Sequence, residues 1–243
     1  MKLLKKYLAA IAAAASVASA HAVPVTIAGV TFDTDSIFDF TGTSAQVFQN
    51  IAANGELSGY GFITTLNNTL QSVFAALGGE LTFAFSGYTP VTTSGGTTYY
   101  SGGILNVYYD ASGNASGGTA LTAATASDGV LWLSLVGNST GTGYTLSGTA
   151  NSGPTLTGSG LLDVAGGVAA EYFDTNSKAN GADLSFTSSF TTFLNGNIAT
   201  AFGSANFNGD SAVPNNVPEP GSLALIGLGL LGTAVARRRA RLT

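Results

Sequence analysis

Acidic side chains supply most of the chemistry this sequence can offer: 243 residues hold thirteen Asp and Glu, one His and no Cys. Asp33-Thr34-Asp35 and Asp39 place three carboxylates within seven residues, and several oxygen donors close together are what Ca2+ requires. An EF-hand is excluded, because counting from Asp33 puts Phe38 at the glycine position and Ser44 at the bidentate glutamate position. Asp174 and Asp183 bracket a polar stretch with Asn176 and Asn180 as further oxygens; the competing reading makes them turn-capping groups. Two carboxylates also suffice for glycoside hydrolysis, and Glu56, Glu80 or Glu171 could each supply one. Scattered acids more often sit on solvated strand faces, so the expectation is no enzyme and no resident cofactor beyond the Ca2+ candidate. Tyr99-Tyr100 and Tyr108-Tyr109 flank a Ser-Gly-Gly turn and could line a sugar-binding face, with Trp132 as another platform. Tyrosine is also a strand-favouring residue, which makes packing the rival explanation. Thr-x-Thr recurs at 41–43, 140–142 and 155–157, too irregularly for a flat ice-binding array.

The basic residues gather at the two ends. Lys2, Lys5 and Lys6 precede an Ala-rich apolar stretch, followed by Ala18-Ser19-Ala20 and Ala20-His21-Ala22. This order of positive region, short apolar region and small-residue sites predicts a secretory signal peptide over residues 1–22, cut by signal peptidase after Ala22, with Ala20 marking the alternative site. Cleavage there removes the only histidine. Ser-His-Asp and Cys-His nucleophilic sites, and zinc or copper sites built on imidazole, are then excluded.

At the other end, Pro218-Glu219-Pro220 precedes sixteen uncharged residues and then Arg237, Arg238, Arg239 and Arg241. As a helix those sixteen residues reach about 24 Å, short for a hydrocarbon core of roughly 30 Å. The arginines should hold their end cytoplasmic. Proline motif, short Gly/Leu/Ala-rich span and basic tail, in that order, resemble the PEP-CTERM sorting signal of Gram-negative bacteria; the LPxTG box of the Gram-positive counterpart is missing. The resemblance implies recognition at Pro218, Glu219 and Pro220 by an exosortase, removal of the tail near the motif, and delivery to the cell surface or exopolysaccharide matrix. Glu80-Leu-Thr-Phe and Gly-Tyr-Gly at 59–61 loosely resemble other exported PEP-CTERM proteins, some linked to floc formation.

The elements that must carry these residues are strands. Between the ends, residues 23–217 hold Lys178 against twelve acids, a net charge of −11. That balance repels phosphate backbones and excludes nucleic acid as a partner. Gly, Ser, Thr and Asn are abundant and charged residues make up only 9%, which disfavours helix bundles and disorder alike. Apolar residues alternate in Glu80–Gly87, in Ile104–Asp110, and at Leu131, Leu133 and Leu135 around Trp132. Further strands are expected over Val25–Phe32, Tyr60–Leu66, Tyr144–Ala150, Val168–Phe173, Leu184–Phe193 and Ile198–Phe207, and one helix over Asn68–Gly79. Short polar turns between strands predict an all-β fold: a single antiparallel β-sandwich, jelly-roll-like, over 23–207. An N-terminal signal helix would precede it, and a linker at 208–217 and a sorting signal with a transmembrane helix at 218–243 would follow. The expected role is an exported surface or matrix protein, structural or adhesive in exopolysaccharide, biofilm or floc. It would be membrane-anchored at the inner membrane before processing, with exopolysaccharide as its partner. A carbohydrate-binding module is the alternative, and a carboxylate-dependent glycoside hydrolase a more distant one.

Overall fold

The computed structural model describes residues 24–34, 40–75, 78–115, 121–139, 141, 143–151, 155–192 and 200–212. The strands among them are β1 (Val25–Ile27), β2 (Val30–Phe32), β3 (Phe40–Ile51), β4 (Leu57–Phe62), β5 (Thr65–Leu66), β6 (Thr69–Leu70), β7 (Glu80–Ser94), β8 (Thr97–Asp110), β9 (Val130–Asn138), β10 (Leu146–Ala150), β11 (Thr155–Gly166), β12 (Leu184–Thr192) and β13 (Thr200–Gly209). Every pairing between them is antiparallel. The wall runs β3-β4-β7-β8, then β9 with β10, then β11-β12-β13, and β13 pairs back onto β3. Because β9 and β10 lie end to end between the same two neighbours, the result is a closed barrel-like sheet of eight strands. Thr145 pins the return of the chain into β10, its N–H donating to the Tyr100 carbonyl (2.8 Å) and its hydroxyl to that of Gly102 (2.7 Å).

The all-β, antiparallel expectation holds, but the sheet is closed where a two-layer jelly-roll sandwich was expected. A sandwich keeps open edges and crosses between two sheets; here wall neighbours follow in chain order and the last strand zips to the first long one. Three local expectations also change. Val25–Phe32 is a hairpin, turned at Ala28 and Gly29, not one strand. Val168–Phe173 contains a one-turn helix, Ala170–Phe173. The helix expected over Asn68–Gly79 shrinks to Gln71–Phe74. Among the described residues no helix is long and apolar enough to cross a membrane, and the predicted signal helix and C-terminal span lie outside them.

One end of the barrel is plugged. The β1–β2 hairpin brings Phe32 against Trp132 (ring centroids 5.8 Å apart, edge to face) and Phe173 (5.1 Å), while Trp132 and Phe173 meet at 5.3 Å. Trp132 is fully buried and its indole N–H donates to the Ile27 carbonyl at 3.0 Å. It reaches the plug because it is the extra residue of a bulge: Val107 opposes Leu133 and Tyr108 opposes Leu131, with nothing opposite Trp132. The bulge breaks the alternation read from sequence, so Leu133 and Leu135 are buried whereas Leu131 is 38% exposed. Below the plug, the rings of Phe83 and Phe85 lie over Gly61 and Gly59 of β4, where a Cβ would stand only 2.4 Å from each ring. On β7, Gly87 at φ 74° resets the alternation, so that Phe85 and Tyr88 are both buried.

Trp132→Ala should destabilise the fold by about 3–5 kcal/mol, the usual cost of emptying a buried aromatic site. Trp132→Phe, which loses chiefly the hydrogen bond to Ile27, should cost nearer 1 kcal/mol. Denaturant midpoints of the two variants check the order.

Candidate functional site

The other end of the barrel is hollow. Toward the turns that follow β3, β7 and β10, the wall encloses a cavity of about 320 Å³. Leu57, Phe85, Tyr88, Tyr100, Phe186 and Phe190 supply most of its apolar and aromatic lining, with Gln49 and Ser188 among the polar groups. Among the described residues no Asp, Glu, Lys or Arg lines it. Burial pushes the Tyr88 phenol up to about 12 and raises that of Tyr100, since the interior disfavours the phenolate. None of Gln49, Gly148, Gly158 or Ser188 was singled out by sequence. Gly148, Gly158 and Ser188 stand in register across β10, β11 and β12, which becomes visible only once strand pairing is known.

The four tyrosines expected on one sugar-binding face are divided between two. Neighbours along a strand point to opposite sides, so Tyr100 and Tyr109 are buried while Tyr99 and Tyr108 are only half-buried. Tyr99 packs on Tyr144, centroids 5.0 Å apart. Tyr108 borders an outer groove with Phe48 and Tyr60. The ring of Tyr109 covers Gly29 and Gly79 in the plugged end. Trp132 is inaccessible as a binding platform.

The carboxylates act as fastenings. Asp183 is buried and accepts three backbone N–H bonds, from Val164 (2.7 Å), Thr175 (2.7 Å) and Asn176 (2.6 Å). Among the described residues Asp174 accepts only from the Asn176 amide, at 3.3 Å, so the polar loop between the two is closed by its own backbone. Glu80 is fully buried and accepts the Ala115 N–H at 2.7 Å, and Thr82 donates to the Ala126 carbonyl at 3.0 Å. Together they hold the β8–β9 segment against the outer wall. Glu56 lies beside Leu57, which pairs with Tyr88, eight residues along β7 from Glu80. At roughly 3.3 Å per residue that is about 26 Å, beyond the reach of a hydrolytic pair. Glu171 is exposed in the helix at the plugged end. Asp33 is half-buried, whereas Asp35 and Asp39 of the calcium expectation lie outside the described residues. Among the described residues no three His, Cys, Asp or Glu side chains are grouped to hold a metal.

The chain leaves the barrel at the plugged end. Lys178 pairs with Asp210 at 3.2 Å, and the Ala212 N–H donates to the Tyr172 carbonyl at 2.8 Å. A hydrogen bond from Ser177, with the charge and hydrogen bond of Lys178, holds the Asp210 carboxyl below its usual range against a smaller desolvation effect. Beyond this point, Pro218, Glu219, Pro220 and Arg237, Arg238, Arg239 and Arg241 lie outside the described residues, as do Ala20 and Ala22 at the other end.

The body is thus an antiparallel barrel, plugged at one end and hollow at the other, that continues into a linear signal. Residues 216–239 match the family model of the PEP-CTERM protein-sorting motif. The chain carries a PEP-CTERM sorting signal, which implies export, a membrane-anchored precursor and processing by an exosortase. No curated protein and no solved structure matches the chain.

Asp183→Ala should cost about 3 kcal/mol or more, because three buried N–H groups lose their acceptor; Asp183→Asn, which keeps one acceptor oxygen, should lose less. Urea titration distinguishes them. The raised Tyr88 phenol sets an alkaline limit. Its contribution is complete below pH ~10, where the phenol is neutral in both the folded and unfolded chains, and it is lost as pH rises through about 12. Unfolding free energy should therefore fall by about 2–3 kcal/mol across that window. Phenolate absorbance should show late-titrating tyrosine that ionises together with unfolding.

Proposed function

We propose that this protein is a non-catalytic structural or adhesive component of the cell surface or exopolysaccharide matrix, released from its membrane-anchored precursor by an exosortase. The observation that carries this reading is the sorting motif at 216–239. Signal peptidase cleavage after Ala22 fits the same route. The barrel suits the role chemically. Paired hydroxyls stand across its strands at Thr97 and Thr149 (2.8 Å), Thr93 and Thr98 (3.1 Å), and Ser147 and Ser159 (3.1 Å). Their spare donors and acceptors match those of a hydroxyl-rich polymer. Glu80, although opposite Asp110 across the sheet, is fully buried and taken up by the Ala115 N–H, which supports a role without hydrolysis.

The test is the intact mass of the protein made in a Gram-negative host that contains an exosortase, with and without Pro218, Glu219 and Pro220 replaced by alanine. The expected result is a released form lacking residues 1–22 and the arginine tail, lost in the triple variant. A single membrane-bound form still ending at Thr243 in both cases would overturn the assignment.

A further inference from the structure

We propose that the hollow half of the barrel binds one small, uncharged, largely apolar molecule of about ten to twelve carbon atoms carrying a single hydrogen-bonding group. An eight-stranded barrel has an interior that side chains can just fill, or that can hold one small ligand. Here one layer of the wall fails to fill it. Gly148 pairs with Gly158, Gly158 with Ser188, and Ser188 with Ala205. Three adjacent strands thus contribute two hydrogens and a hydroxymethyl to the cavity wall at a single level, and Ala205 continues the layer of small residues beyond it. The residues are in register although they lie far apart in sequence.

The size and lining of the void define what fits. Its volume of about 320 Å³ is within the range of small-molecule sites. An apolar cavity of roughly 150 Å³ accommodates benzene, so this one takes a molecule about twice that size. Phe85, Tyr88, Phe186 and Phe190 form ring and edge surfaces suited to an aryl group or a short acyl chain. With no charged side chain in the lining among the described residues, an ionic ligand would be buried without a counter-charge, at high cost. Gln49 and Ser188 are each 92% buried and line the cavity. Neither side chain makes a hydrogen bond among the described residues. They can receive one polar group, and the amide of Gln49 can both donate and accept. The binding site does not depend on the role proposed for the protein as a whole, because it rests on the barrel alone.

The experiment uses the full-length chain in lipid nanodiscs. 2-Naphthol and naphthalene serve as probes with and without a hydroxyl, and fluorescence follows their uptake. Empty nanodiscs correct for partition into lipid, and nanodiscs bearing Gly148→Leu, whose side chain enters the cavity, report what the cavity itself contributes. A Cβ at Gly148 meets only Tyr100, at 3.5 Å. The expected result is saturable binding of one 2-naphthol per chain at micromolar concentration, at least tenfold weaker in Gly148→Leu. Gln49→Leu should weaken 2-naphthol about fivefold, one hydrogen bond's worth, and leave naphthalene unchanged. Should Gly148→Leu fail to fold, Ser188→Leu takes its place with the same expected loss. A folded wild-type chain that shows no saturable uptake up to the solubility of the probes would overturn the proposal. So would binding that survives the cavity-filling variant undiminished. Equal effects of Gln49→Leu on both probes would remove the hydrogen-bonding group from the ligand's description.

Discussion

The seam between β13 and β3 is the constraint on which the rest of the molecule depends. It joins Thr200–Gly209 to Phe40–Asn50 along nearly their full length, the two strands lying at opposite ends of the barrel-forming chain. Without it the sheet would present two long edges of unpaired N–H and C=O groups. Soluble proteins usually guard such edges with charge, and this sequence has only 9% charged residues. Closure removes the edges altogether. It also gives the barrel an inside, so that the plug has a mouth to fill and the layer of small residues becomes a void and not a dent in an open sheet. Because the pairing is so non-local, the loop-closure entropy falls before most of the reward, and folding should be slow for a domain of this size.

Composition that looks bland in the linear sequence acquires specific functions once the sheet closes. Threonine and serine stand opposite each other across strands, at Thr26 and Thr31 as well as in the ladders on β7 to β11, and cross-strand hydroxyl pairs of this kind stabilise a sheet without charge. Glycine does the opposite job. It vacates wall positions so that a neighbouring strand's ring can lie flat, as Phe83 and Phe85 do over Gly61 and Gly59. The few acids fasten backbone: Asp183 closes one loop and Glu80 seats another.

How much of this was legible depended on whether the information was local. The alternation in Glu80–Gly87 and Ile104–Asp110 reads correctly, because both segments keep one face inside. By contrast, β3 and β11 escape detection. Their stretches, Phe40–Ile51 and Thr155–Gly166, are rich in Gly, Ser and Thr and owe their strand state to partners on both sides. Alternation puts Leu131 on the same face as Leu133 and Leu135, whereas a bulge at Trp132 shifts the phase and nothing in its neighbours announces one. The division of Tyr99 from Tyr100, and of Tyr108 from Tyr109, follows from strand geometry alone. The cavity is not legible, because it depends on the register of β10, β11 and β12. The sorting signal stands at the other extreme, recognisable because motif, span and basic tail are contiguous.

The attachment of the tail has a mechanical side. The chain leaves the barrel after Gly209, at the end of a strand hydrogen-bonded to β12 on one side and β3 on the other. A pull on the C-terminal segment in line with β13, resisted at the hollow end of the barrel, would load both ladders in shear. Their hydrogen bonds must slip together instead of opening one after another, as they would if the strand were peeled from its end. The seam that closes the barrel is in this way also the member that would carry tension between the domain and whatever holds its tail.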